Sequence, residues 1–567
     1  MANLNISSKE SMTYDAIVIG SGISGGWAAK SLCEGGLKTL VLERGRDVKH
    51  IEDYPTATKN PWEFELGGKI PLDKQKDFGR RGARIHESTA HFWMKEGEQE
   101  TVQEKPFQWT RGYHVGGKSL LWARQSQRWS DLDFEGPLRD GYAVDWPIRY
   151  KDIAPWYSHV EKFIGMAGNR DGLPQLPDGE FLKPFDLSCV ERHFKKVLAD
   201  NYTDRHLVHG RCAHITEQQD IHREQGRQKC MHRSLCNRGC PLGGYFSSNA
   251  STLPWAAKTG NMTLRPHSVV HSIIYDEETN KASGVRIIDA EDRQVYEYFA
   301  KIIFVNASAL NSNLILLNSI SSRFPNGLGN DSGVLGKFIS WHNYRGQISG
   351  RSEDFPDVMS KGKNPSHSYI PRFRNLYKQE TDFLRGYAVG FGSADRMIQF
   401  SRTGIGEELK ANLMNRTLGP WWVSGWMQGE VIPIESNHVR LHPELKDKYG
   451  MPQLVLSCDW TENDDKMVLD YMEQMTEMFE KAGFTHIVAR DSQSPPGSDI
   501  HEMGGVRMGH DPKTSLLNQW NQLHACQNVY VTDGACMTST ATQNPSLTYM
   551  ALTARAANHA IETLKKG

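Results

Sequence analysis

Three cysteines stand close together in this sequence, Cys230, Cys236 and Cys240, spaced by six and then four positions, with Pro241 directly after the last. Thiolates are soft, charge-donating ligands, so the run can hold iron or zinc. Cys followed by Pro is also one end of the bacterial ferredoxin pattern, and Gly239 lets the chain bend around a metal centre. His222 or His232 could complete a zinc site instead, and three unligated thiols are the remaining reading. The other six, Cys33, Cys189, Cys212, Cys458, Cys526 and Cys536, are scattered, and nine cysteines in 567 residues is an odd number. A disulfide framework does not fit that count in so long a chain.

A second constellation lies at the start. Asp15 to Ile19 is an apolar, β-branched run ending in Gly20-Ser-Gly-Ile-Ser-Gly-Gly26, and Leu37 to Leu42 is another, ending in Glu43. Strand, tight glycine turn, helix, strand and acid is the order of a dinucleotide site. Gly20 permits the turn, Gly22 leaves room for a pyrophosphate, and Gly25 lets helix and strand approach closely. The helix N-terminus faces the phosphate charge. Glu43, 23 residues after Gly20, can accept hydrogen bonds from the adenosine ribose. This fingerprint serves flavin and nicotinamide dinucleotides alike.

Several elements must position these residues. Thr263 to Asp276 and Ala282 to Ile288 read as paired strands with a turn at Glu277 to Asn280, and Lys301 to Val305 as a further strand before a helix near Asn313 to Ser319. Asn528 to Gly534 is a short strand ending in Asp533-Gly534, and Tyr549 to Leu564 is a closing helix. Whether that last strand returns to the first sheet or ends in a bare turn is open at this stage. Arg111 to Ser119 is glycine-rich and able to bring backbone donors against a flat ring; Trp146, Trp156, Tyr157 and Phe163 read as helical core packing. From about 339 to about 495 the pattern changes to aromatic-rich alternating strands such as His438 to Leu441 and Leu454 to Leu456. The fold class is therefore α/β, a Rossmann-like nucleotide domain with a second substrate-binding domain on an antiparallel or mixed sheet. We assign 12–135, 225–330 and 496–567 to the first and 136–224 and 331–495 to the second.

Composition narrows the partners. The formal charge is -1, from 66 basic and 67 acidic side chains, and neither sign forms a long block, so no nucleic acid is expected. No apolar stretch reaches the ~18 to 20 residues needed to span a bilayer, and Met1 to Ser11 lack the order of a signal peptide.

With these pieces placed, the sequence resembles the glucose-methanol-choline (GMC) family of FAD oxidoreductases over essentially its whole length. The resemblance rests on Gly20 to Gly26, Val115-Gly-Gly-Lys-Ser-Leu-Leu-Trp122, His501-Glu-Met-Gly-Gly-Val-Arg-Met-Gly509, and Asp533-Gly534 continuing to Asn544-Pro-Ser-Leu-Thr-Tyr-Met550. It implies bound FAD, with His501 and Asn544 catalytic at the flavin face. A neutral imidazole can take the proton of an alcohol hydroxyl as the carbon-bound hydrogen leaves, and the Asn544 amide can donate to the developing alkoxide. Gly116, Gly117, Ser119, Val270, Asp533 and Pro545 join Gly20, Gly22, Gly25 and Glu43 as implied cofactor contacts. Some related sugar oxidases hold FAD through a histidine just before the tryptophan of the second stretch; Leu121 stands there, so the FAD is expected to be noncovalent.

The cysteine spacing is similar to that of the large subunit of bacterial FAD-dependent sugar dehydrogenases. That likeness implies a three-iron four-sulfur (3Fe-4S) cluster on Cys230, Cys236 and Cys240, electrons leaving one at a time to a cytochrome c-type carrier, and weak use of oxygen. Within the group, the lack of a covalent histidine and the stretch from Leu121 to Trp129 look most like glucoside 3-dehydrogenases, which oxidise C3 of a glucopyranoside. Glucose 1-dehydrogenase, gluconate 2-dehydrogenase and an oxygen-using sugar oxidase are the alternatives. The resemblance also implies a small signal-bearing partner subunit and co-export to the periplasm, against a cytoplasmic alternative. A flavoprotein scaffold, the other class considered, needs neither His501 nor Asn544.

Overall fold

The computed structural model describes residues 12–79, 85–356, 358, 364–394, 396, 398–399 and 401–566. Its first layer grows from strand Thr13–Ile19, helix Ile23–Glu34 and strand Thr39–Leu42. The first strand is flanked by parallel neighbours on both edges: Ile19 is opposite Leu42 on one side and Val305 on the other. Helices cover both faces of such a sheet, so the strand reads as a continuous apolar run, and Ala16, Ile17 and Val18 are fully buried. Helix Ile23–Glu34 packs closely because its inner face is built of small residues: a Cβ at Gly25 would sit 1.9 Å from the Gly20 carbonyl oxygen.

Strand Cys526–Val531 pairs in parallel with Val295–Val305, which settles the open question: the C-terminal strand returns to the first sheet. Among the described residues eight strands make that sheet, six of them on one path and the hairpin Ser268–Asp276 and Lys281–Asp289 off it. The expected single strand from Thr263 to Asp276 is split. Met262–Arg265 pairs with Thr39–Leu42, and Ser268–Asp276 turns away to pair with Lys281–Asp289. Pro266 lacks the N–H that a continuing ladder needs, and His267 takes a φ of +56°, which turns the chain.

The second layer is a six-stranded sheet in which Tyr387–Ala394, Trp421–Glu430, Gly346–Ser352 and Thr485–Asp491 are antiparallel neighbours. Helices Cys189–Asn201 and Glu462–Lys481 share one core with it, through Phe194, Phe391, Met475 and Phe479. The short strand His342–Asn343 attaches to the end of Trp421–Glu430, which brings His342 to the seam between the layers. His438–Lys446 and Pro452–Ser457, expected in this second sheet, instead form a separate small sheet with Thr101–Gln103. Among the described residues no helix is long and apolar enough to cross a membrane.

Candidate active site

A cavity of about 490 Å³ is lined from both layers. Gly20, Gly22, Glu43, Gly117, Ser119, Val270, Asp533, Pro545, His501 and Asn544 all face it, while Gly25 and Gly116 stand behind its wall. Gly25 sets the contact of helix and strand. Gly116, at a φ of +85°, donates its N–H to Ser21 Oγ at 3.0 Å, and a side chain there would strike Asn249. Gly22 is the opposite case, since an added Cβ meets nothing within 4 Å. It opens onto the start of helix Ile23–Glu34, which has no side-chain cap and no acid in its first turn.

Glu43 is buried beside that helix start. Its carboxylate accepts from the Ser21 N–H at 3.2 Å, the Ser21 hydroxyl at 2.5 Å and the Gly45 N–H at 3.0 Å. Burial raises its pKa, and these donors oppose the rise. Asp533 accepts from Ser312 Oγ at 2.6 Å and from the Ala535 N–H at 2.9 Å, and burial pushes it up to about 6. Ser119 ties two loops together, donating to the Gly116 carbonyl at 2.6 Å and accepting the Ser248 N–H at 3.0 Å.

His501 and Asn544 face the cavity from loop segments. The Asn544 amide nitrogen lies 3.4 Å from His501 Nε2. The other ring nitrogen, Nδ1, is 2.8 Å from His342 Nδ1 and 3.5 Å from the Asp499 carboxylate. Burial, aided by His342 and Lys118, holds His501 well below the ordinary imidazole value of 6.5. It is therefore neutral, and able to accept a proton, across the neutral pH range. His342, Asp499 and His501 are the one set of three such side chains, among the described residues, whose donor atoms lie within 4.8 Å of one another. Two ligands of tetrahedral zinc stay about 3.3 Å apart, so the 2.8 Å contact is a hydrogen bond and the trio is not arranged around an ion.

The three cysteines of 230–240 are free and partly exposed, and none of them lines the cavity. Arg124 and Asn237 both line the cavity, and the Arg124 guanidinium donates to Asn237 Oδ1 at 3.2 and 3.3 Å. Burial pushes the Cys230 thiol up to about 11, with Cys236 and Cys240 adding to the rise and Arg124 opposing it. Cys236 is raised in the same way, and its sulfur lies 3.8 Å from His214 Nε2. The three sulfurs do not gather within 4.8 Å, which is wider than the ~3.8 Å separation of thiolates on one tetrahedral zinc.

Residues 16–342 and 433–553 match the N- and C-terminal parts described as GMC oxidoreductase. This chain belongs to the GMC oxidoreductases. It is 28% identical to a 2-methyl-1,2-propanediol dehydrogenase of Mycolicibacterium austroafricanum, over 96% of this chain and 94% of that one. It is 24% identical to the fructose dehydrogenase large subunit of Gluconobacter japonicus, over 99% and 100%. The crystal structure of a pyridoxine 4-oxidase superposes with a TM-score of 0.58 at 15% identity, covering 96% of this chain and 98% of that one. Neither relative is a glucoside 3-dehydrogenase.

Membership makes the protein an FAD-dependent dehydrogenase or oxidase, and the cavity of this GMC chain fits that cofactor. The bare helix start beside Gly22 suits a pyrophosphate, Glu43 suits a ribose, and Gly117 and Ser119 line the cavity from a second loop. Reasoning from sequence missed His342, Asp499, Tyr344 and His367, the last three of which line the cavity. None sits in a motif; His342 and His501 are 159 positions apart. The tryptophans at 421, 422 and 426 do not line the cavity. Trp421 is buried in the core, Trp422 lies under the Arg351 guanidinium, and Trp426 packs edge-on against His367.

Proposed function

We propose that the protein is an FAD-dependent dehydrogenase of sugars or related polyols, oxidising a secondary or primary alcohol carbon to a carbonyl. The observation that carries this reading is the pair at the cavity, a neutral imidazole with Nε2 turned inward and a carboxamide 3.4 Å away. FAD, when bound, supplies the acceptor for the hydride and its two electrons. His501 Nε2 takes the hydroxyl proton, and the Asn544 N–H steadies the oxygen as negative charge develops on it.

Oxidation at C3 of a glucopyranoside loses ground to the alternative carbons, because the two full-length relatives above are named for fructose and for a propanediol, while a C-glycoside 3-oxidase of Arthrobacter globiformis matches over only 21% of this chain. Cys230, Cys236 and Cys240 are proposed to hold an iron-sulfur cluster rather than zinc. A cluster spreads its thiolate ligands over separate irons, which suits a loop wider than one ion allows. It would provide a one-electron exit toward a carrier protein, and Arg124 favours the thiolates it needs. Noncovalent attachment of FAD follows from Leu121, whose side chain has no nucleophilic nitrogen. A small partner subunit and a periplasmic location remain part of the proposal.

The test is anaerobic mixing with fructose, glucose, gluconate, methyl glucoside and 2-methyl-1,2-propanediol, followed by flavin absorbance and product NMR. Bleaching by at least one of them, with one carbonyl formed per flavin, is expected. Stoichiometric peroxide in air, with no gain on adding a one-electron acceptor, would favour the oxidase reading instead.

A further inference from the structure

His342 belongs to no sequence motif, yet every polar atom of its ring is committed. The ring is fully buried. Its Nε2 lies 3.1 Å from the carbonyl oxygens of both Thr540 and Ala541. Carbonyl oxygens only accept hydrogen bonds, so this nitrogen carries the proton. Ala541 sits at a φ of +53°, a left-handed backbone that an alanine adopts only under constraint. In a neutral imidazole the other nitrogen is then bare, and burial keeps His342 neutral by holding it down at about 4.

The bare His342 Nδ1 is 2.8 Å from His501 Nδ1. Two ring nitrogens at that distance share one proton, and here it can come only from His501. His501 is thereby the Nδ1–H tautomer, and its lone pair is on Nε2, beside Asn544 and facing the cavity. Asp499 stands at the same end. It accepts the His342 backbone N–H at 2.8 Å, lies 3.5 Å from His501 Nδ1, and has its second oxygen buried without a hydrogen-bond partner.

We infer that His342 is a positioning residue which, through a one-way chain of hydrogen bonds anchored on the Thr540 and Ala541 carbonyls, fixes His501 in the tautomer whose Nε2 can take the substrate proton. Asp499, whose carboxyl burial pushes up to about 8, stands 3.5 Å from the ring that becomes positive once that proton arrives. The inference deepens the proposed alcohol oxidation and rests on it for its purpose, but the tautomer itself can be read without any substrate.

The experiment uses the flavin-loaded protein and its His342→Leu and His342→Asn variants. Leucine removes the acceptor; asparagine restores an oxygen near the place of Nδ1. Nitrogen-15 NMR of histidine-labelled wild type, with His501 identified by subtraction of a His501→Asn spectrum, is expected to show a protonated Nδ1 and a bare Nε2. Flavin reduction by an accepted sugar is expected to slow about 100-fold in His342→Leu, with KM changed little and flavin absorbance intact. His342→Asn should recover at least about tenfold of that loss. A wild-type His501 protonated at Nε2 would overturn the inference even if no variant folds. A leucine variant as fast as wild type, or an asparagine variant no better than leucine, would also overturn it. Failure of every sugar to reduce the flavin, with the NMR result as expected, would count against the functional reading and leave the tautomer lock standing.

Discussion

Asn237 of the cysteine loop lines the same cavity as His501, yet burial acts on the histidine pair and the cysteines in opposite functional senses. At His501 desolvation lowers the pKa and keeps the ring neutral, which is the form that accepts a proton. At Cys230 the same desolvation lifts the thiol to about 11, away from the thiolate that binds metal. The histidine site is therefore competent from protein groups alone: each ring nitrogen has a partner and a direction. The cysteine loop needs a cation to hold its thiolates, and its backbone is shaped for something local, with His232 and Ser234 both at positive φ. One region is complete as a hydrogen-bond network; the other makes chemical sense as a ligand set.

The largest expected separation of the two comes from Cys236→Ser. Iron and acid-labile sulfide should fall below detection and turnover with a one-electron acceptor should collapse, while anaerobic flavin reduction stays within about twofold. Equal loss of both half-reactions would show that the regions are not separable. Asn544→Ala comes next, with flavin reduction slowed by about 100-fold and iron content unchanged, measured by stopped-flow absorbance and metal analysis. The smallest effect is in pH. Because the His501 pKa is depressed, the ring gains its proton only below 6.5, so any change in reduction rate between pH 6.5 and pH 9 should follow the neighbouring Asp499, whose carboxyl burial pushes up to about 8, with faster reduction as it ionises. A limb near 8 that survives Asp499→Asn would mean that the ring is not held neutral by burial.

The two regions were also unequally legible in the sequence. The nucleotide turn and the cysteine run are contiguous, so Gly20, Glu43 and Cys236 announce themselves by spacing. Gly116 and Gly117 are likewise local, and their positive φ values explain why glycine is needed there. His501 and Asn544 stand in recognisable stretches, but the groups facing His501 Nδ1 do not. His342 reaches it from the end of a strand in the other layer, and Asp499 acts through the His342 backbone. Such contacts depend on how two sheets meet, which no local pattern encodes. The split at Pro266 was visible in residue type and was outweighed by the apolar run on either side.

The central claim is that His501 takes the hydroxyl proton of a sugar or polyol as the bound flavin is reduced. Single-turnover anaerobic mixing of wild type and His501→Ala with the accepted substrate tests it most directly. The account predicts that both proteins carry the same amount of flavin, that wild type bleaches with one carbonyl formed per flavin, and that the alanine variant bleaches about 1,000-fold more slowly. Equal rates in the two proteins, at equal flavin content, would contradict it.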